Sequence, residues 1–195
     1  MTQELIRSRL AESARLKEAM SQDAELTATV AAIADVIVEA YRAGRKLLLC
    51  GNGGSAADSQ HLAAELVGRF YMNRAPLAAE ALTVNTSTIT AVGNDFSFDD
   101  VFARQIQALG RPGDVAIGMS TSGNAENVRR ALSTAKSLGL VTVAFTGASG
   151  GKLRDAVDYC LQIPSDDTAR IQEGHITVGH IMCELIERAV FDEEA

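Results

Sequence analysis

Five short apolar runs recur along the chain: "KLLLC" (46–50), "EALTV" (80–84), "DVAIGMS" (114–120), "VTVAFTG" (141–147) and "DYCLQIP" (158–164). Runs of this length without polar alternation have the pattern of strands buried on both faces. Helical segments separate them, at 56–69, 98–109, 125–138 and 168 to about 190. Strands that alternate with helices predict an α/β fold, a mostly parallel sheet covered by helices on both faces.

Two more helices precede the first strand. One spans 3–19, with Leu5, Ile6, Leu10, Leu16 and Met20 at helical spacing, and the other spans 24–43 and is closed by Gly44. "GRPGD" (110–114) and "GASGG" (147–151) are turns. The 195 residues contain no repeat, low-complexity tract or linker, so a single domain is expected over 1–195, with a helical pair at 1–44 and a sheet domain at 45–195. An amphipathic helix ahead of a complete sheet domain needs a further apolar surface to cover, which makes the N-terminal helices candidates for self-association.

Several function classes are disfavoured by composition. No run approaches the roughly 18 unbroken apolar residues of a membrane helix. The N-terminus interleaves charge with apolar residues and lacks a secretory core, so a cytoplasmic protein is expected. Cys50, Cys160 and Cys183 are odd in number and form no CxxC pair, which suits reduced buried thiols. A net charge of −7, no basic cluster longer than two residues and no tryptophan leave neither the electrostatic footprint nor the stacking platform of a nucleic-acid binder. Anionic ligands stay open, because backbone N–H groups bind phosphate without lysine.

In an open parallel sheet, ligands bind beyond the carboxyl ends of the strands, at helix N-termini that favour anions. Two strand ends carry suitable residues. "CGNGGSAAD" offers Gly51, Gly53 and Gly54 for close backbone approach and Ser55 as a hydroxyl donor, while "MSTSGNAEN" presents Ser120, Thr121 and Ser122 before Gly123 and Asn124. Each alone could be ordinary capping, but together they point to a phosphate site. The first also satisfies G-x-G-x-x-A, yet the next strand run ends in "TVNTS", with Asn85 where a dinucleotide site places an acid.

The helix after the first loop carries His61 and Glu65, four apart and so within about 40° on one face. On the last helix Gln172 and His180 are separated by about 80°, whereas His175 points roughly 140° away from His180, so the two histidines should not converge. Two histidines, a carboxylate and an amide could bind a divalent metal such as zinc, or supply acid and base at a sugar carbonyl. Spacing does not separate these alternatives.

"CGNGGSAADSQHLAAELVGRF", "AVGNDFSFDDVFARQI", "GDVAIGMSTSGNAENV" and "TARIQEGHITVGHI" resemble the sugar isomerase (SIS) domain family, and most closely its heptose-phosphate isomerases. The similarity runs from about residue 40 to the C-terminus, and the N-terminal helical pair also fits. It implies a three-layer α/β/α flavodoxin-like domain with a five-stranded parallel sheet, assembled as a homotetramer. The implied reaction is isomerisation of sedoheptulose 7-phosphate to D-glycero-D-manno-heptose 7-phosphate, the first step toward the heptose of lipopolysaccharide core. By resemblance, Ser55 and the Ser120–Thr121–Ser122 loop would hold phosphate, Asn52, Gly53, Asn94 and Asp95 would contact the sugar, and Gly54 belongs to the substrate-binding set. Glu65 would be the base at carbon and His180 would transfer protons at oxygen. His61, Glu65, Gln172 and His180 would also bind one Zn2+ per subunit, with Glu65 and Gln172 reaching the substrate.

The sequence departs from the family pattern at Ala125, where many members have serine, which removes one phosphate hydroxyl. Two alternatives remain within the family: a non-catalytic scaffold of the DnaA-associating type, and an isomerase of another ketose phosphate. The scaffold branch replaces the residues matching Glu65 and His180, and both are present here. His175 is expected near a subunit boundary.

Overall fold

The computed structural model describes residues 1–191. Among the described residues, seven α-helices and five strands follow one another as α1 (Thr2–Gln22), α2 (Ala24–Arg42), β1 (Leu47–Gly51), α3 (Gly54–Val67), β2 (Ala79–Ala81), α4 (Thr86–Asp95), α5 (Ala103–Leu109), β3 (Val115–Met119), α6 (Glu126–Ser137), β4 (Val141–Thr146), β5 (Tyr159–Gln162) and α7 (Thr168–Phe191). The strands form one sheet in the order β2-β1-β3-β4-β5, every neighbouring pair parallel. This is the flavodoxin-like order, with its reversal of direction between β1 and β3.

Alternation along each strand sorts the core onto the two faces of the sheet. Leu47, Leu49, Ile117 and Phe145 pack with Ile33 and Ile37 of α2, Leu66 of α3 and Val178 and Ile186 of α7. Leu48, Cys50, Ala116 and Ala144 pack with Ile106 of α5 and Val128 and Leu132 of α6 on the other face. Cys50, Cys160 and Cys183 are free thiols, and burial raises Cys50 and Cys183 to about 12.

The N-terminal helices are held unequally. Asp23 separates them, its carboxylate accepting the Glu25 and Leu26 N–H groups to cap α2. α2 buries seven residues, several of them large aliphatics stabilised by about 1.5–3 kcal/mol each, and is anchored to the sheet. α1 buries only Met20; Leu5, Ile6 and Leu10 are each more than half exposed.

The region between β2 and β3 differs from the sequence expectation. The second apolar run contributes only Ala79–Ala81 to the sheet, as an edge strand, and Leu82–Val84 turn away. An additional helix, α4, follows, because Asn85 caps it by accepting the Thr88 N–H; the β-branched stretch "TSTIT" conceals that start. The helix expected at 98–109 is divided into a 3-10 turn, Phe98–Asp100, and α5. Ser97 caps the turn through the Asp99 N–H, and Arg130 of α6 holds Asp100 at 2.8 Å.

His175 is fully enclosed within the chain. Its ring lies against Phe145, and Nε2–H donates to the Thr146 carbonyl at 3.1 Å, leaving Nδ1 without a partner. Burial lowers its pKa to about 4, against the opposing pull of that hydrogen bond. Neutral His175 therefore contributes fully above its ordinary value of 6.5, and about 3 kcal/mol is lost as pH falls from there through 4. His175→Gln retains a donor without the titration. Its thermal stability should decline less steeply than wild type between pH 6.5 and 4, as measured by circular dichroism melting; parallel declines would exclude His175 as the titrating group.

Candidate active site

At the carboxyl ends of β1 and β3 the connections leave in opposite directions and open a crevice. The chain from β1 passes through Asn52 and Gly53 into α3, and the chain from β3 passes through Ser120–Ala125 into α6. A reciprocal amide pair ties the two connections together. Asn52 Nδ2 donates to Asn127 Oδ1, and Asn127 Nδ2 donates to Asn52 Oδ1, each at 2.9 Å. Sequence reasoning missed Asn127, because nothing local signals a contact 75 positions away.

The loop after β3 is shaped largely by its own hydrogen bonds. Ser120 is buried and its Oγ accepts the Ala125 N–H at 3.4 Å, while Ser122 Oγ accepts the Asn124 N–H at 3.2 Å. Gly123 has φ +66°, and a side chain there would collide with the Gly150 carbonyl, so this loop packs directly on the turn after β4. Thr121, Ser122, Asn124, Ser149, Asp166 and Thr168 line a cavity of about 230 Å³ at this position. Ser55 is buried in the first turn of α3. The Ala125 backbone N–H is already engaged by Ser120, so the missing serine hydroxyl has no direct substitute at that residue.

α3 and α7 pack closely because Gly179 has no side chain: a Cβ there would lie 2.6 Å from Leu62 Cδ2. The next residue, His180, consequently meets the polar face of α3. His61 Nε2 lies 2.9 Å from His180 Nε2 and 3.2 Å from Glu65 Oε1. Candidate ligand atoms from the three residues lie within 4.8 Å of one another. The group remains open to solvent, with the His61 side chain 47% exposed and Glu65 28%. The Phe70 ring backs His180 at 5.6 Å between centroids.

The donor chemistry suits a divalent cation. In their Nδ1–H tautomers His61 and His180 present Nε2 lone pairs beside the Glu65 carboxylate, three acceptors that a cation would satisfy together. A tetrahedral ion with bonds of about 2.0–2.1 Å holds its donors roughly 3.3 Å apart, close to the spacings here, and imidazole with carboxylate is a zinc-type set. Asp58, one turn before His61, adds a half-buried carboxylate whose Oδ2 has no hydrogen-bond partner. Burial raises its pKa, with His61 and His180 pulling the other way.

The other candidate residues are distributed around this group. Gln172 makes no hydrogen bond to it; its carboxamide packs against Gly54, where a Cβ would lie 2.5 Å from Nε2. Gln172 thus reaches the start of α3, and His61, Glu65 and His180 cluster without it. Asn94 and Asp95, at the end of α4, are exposed and bonded to each other at 2.8 Å, with no hydrogen bond to either loop or to the histidines. His175 faces the sheet, away from His180, as its helical angle predicts. Asn85 uses its side chain to cap α4, so no carboxylate occupies the position a dinucleotide ribose would require.

A family model for the SIS domain matches residues 10–147. Over 189 residues the chain is 47% identical to a phosphoheptose isomerase of Clostridium acetobutylicum, covering 97% of this chain and 96% of the relative. A Roseiflexus phosphoheptose isomerase is 58% identical over 164 residues, 84% of this chain and 83% of the relative. Among solved structures, phosphoheptose isomerase GmhA of Neisseria gonorrhoeae superposes with a TM-score of 0.89 at 43% identity, covering 96% of this chain and 99% of that one. The Francisella tularensis enzyme gives 0.92 at 37% identity, with the same coverage. With this sheet order and matches along nearly its whole length, the chain belongs to the SIS domain family, in its phosphoheptose isomerase branch.

Proposed function

We propose that this protein is a phosphoheptose isomerase, converting sedoheptulose 7-phosphate to D-glycero-D-manno-heptose 7-phosphate on the route to lipopolysaccharide core heptose. The observation that carries the reading is the juxtaposition of His61, Glu65 and His180 beside the crevice between β1 and β3. Relatives named for the same activity, at 47% and 58% identity, support it. The presence of Glu65 and His180 side by side favours an enzyme over a non-catalytic scaffold.

Interconverting an α-hydroxy ketone and an aldehyde requires removal of a carbon-bound proton and its return one carbon away. The Glu65 carboxylate is the base in this scheme, carrying the proton between C1 and C2 by way of an enediol, and the His180 imidazole moves protons at the adjacent oxygens. Gly54, Ser55 and Ser120–Ser122 hold the phosphate through hydroxyl and backbone N–H donors, so remote binding energy fixes the reacting carbons. Asn52, Gly53, Asn94 and Asp95 are assigned to the sugar hydroxyls, and Gln172 to the substrate end nearest α3.

His61, Glu65 and His180, with Gln172 as fourth ligand, would hold one zinc ion per chain. When bound, it supplies Lewis-acid polarisation of the substrate oxygens. The proposed assembly is a homotetramer in the cytoplasm. Exposed Leu5, Ile6 and Leu10 support association, as does an apolar hollow between α1, α2 and α7 lined by Met20, Leu26, Val30, Ile181 and Leu185. No helix among the described residues is long and apolar enough to cross a membrane.

The direct test is to incubate the purified protein with sedoheptulose 7-phosphate and follow the product by NMR, before and after chelation and with zinc restored. The aldoheptose phosphate should form, stop forming on chelation and return with zinc. Substrate binding without product in zinc-replete protein would overturn the activity, and turnover insensitive to chelation would overturn the metal's role. Glu65→Gln should abolish turnover while substrate affinity by calorimetry stays within about tenfold, because the lost interaction belongs to the transition state. Retained activity would remove Glu65 from the role of base.

A further inference from the structure

A buried ion pair joins the two helices that carry the triad. Arg74, in the segment between α3 and β2, and Glu187, near the end of α7, have side chains 2% and 1% exposed. Glu187 Oε1 accepts from Arg74 Nε and from the Phe70 N–H, both at 2.8 Å; Oε2 accepts from the Tyr71 and Met72 N–H groups at 2.8 and 3.0 Å. Arg74 in turn donates to main-chain carbonyls in the last turn of α3: Nη2 to Glu65 at 3.0 Å and Nη1 to Leu66 at 2.6 Å. Every strong contact of the pair therefore ends on α3, on α7 or on the segment that follows α3.

These contacts bear directly on the triad. Arg74 grips the carbonyl of Glu65 itself. Glu187 is seven residues beyond His180, two turns along α7 and within about 20° of the same face. The three N–H groups that Glu187 collects belong to the turn containing Phe70, whose ring backs His180. A buried ion pair is weak support for stability, since apolar residues of similar volume often replace it without loss. A geometric role accounts better for so many directional bonds.

We propose that Arg74 and Glu187 are positioning residues that set the distance between Glu65 and His180 and hold Phe70 behind the His180 ring. The proposal rests on the isomerase reading for its functional consequence, but the placement of the side chains can be measured without it. Glu187→Gln keeps the shape of the side chain while removing its charge. Arg74→Met/Glu187→Leu fills the same space with apolar groups.

The test compares both variants and Glu187→Asp with wild type by circular dichroism melting, by cobalt(II) titration followed by visible absorption, by His61 and His180 imidazole NMR resonances in cation-free protein, and by steady-state kinetics. Glu187→Gln and the double variant should remain folded, with both histidine resonances displaced and cobalt(II) affinity weakened by about tenfold or more, the scale on which partners that orient metal ligands act. Their kcat should fall by about tenfold or more while KM changes by less than about threefold, with Glu187→Asp recovering part of the loss. Variants that retain wild-type histidine resonances and cobalt(II) spectrum would overturn the proposal, and so would a double variant that no longer folds, which would assign the pair to stability. If wild type itself neither bound cobalt(II) nor turned over the heptose phosphate, the isomerase reading would fail on its own. The histidine resonances would still decide the positioning role.

Discussion

The close contact between α3 and α7 governs the organisation of the site. It depends on Gly179 meeting Leu62, where a single methyl group would lie 2.6 Å from Leu62 Cδ2. A larger residue would force Leu62 or the helices themselves to shift, which disturbs the packing behind the 2.9 Å spacing of His61 and His180. Interiors are packed too tightly to absorb such a change without movement. The Leu62, Val178 and Ile186 packing that fixes these helices on the sheet therefore also fixes the relation of Glu65 to His180.

The sheet order supplies the complementary half. Because β1 and β3 send their connections in opposite directions, both loops border one crevice, and the Asn52–Asn127 pair locks them together. In the proposed mechanism phosphate recognition and proton transfer fall to separate elements: hydroxyls and helix N-termini on the loops, imidazole and carboxylate one and more turns along α3 and on α7. A substrate gripped at its phosphate would extend toward the triad, the arrangement in which remote binding energy orients reacting carbons.

Much of this architecture was legible in the amino-acid sequence. The five apolar runs predicted the parallel sheet, and the angular arithmetic correctly set His61 beside Glu65 and turned His175 away from His180. What could not be read were relations between elements. The convergence of α3 and α7 depends on a glycine whose meaning appears only beside Leu62, and the Asn52–Asn127 and Arg74–Glu187 contacts join positions far apart in the chain. Local signals also misled where capping outweighed pattern: α4 begins at Asn85 within a β-branched stretch, and the expected helix at 98–109 breaks at the turn capped by Ser97. His175, expected near a boundary between subunits, is enclosed within the chain by its neighbours on the sheet, Phe145 and Thr146, a relation between elements that its local sequence does not show.

The central claim is that Glu65 moves a carbon-bound proton, and turnover of sedoheptulose 7-phosphate in deuterated water tests it most directly. A carboxylate 28% exposed exchanges its proton with solvent, so the product should carry deuterium at C2, detected by NMR. A product without solvent deuterium at C2, formed at an undiminished rate by Glu65→Gln, would contradict the account.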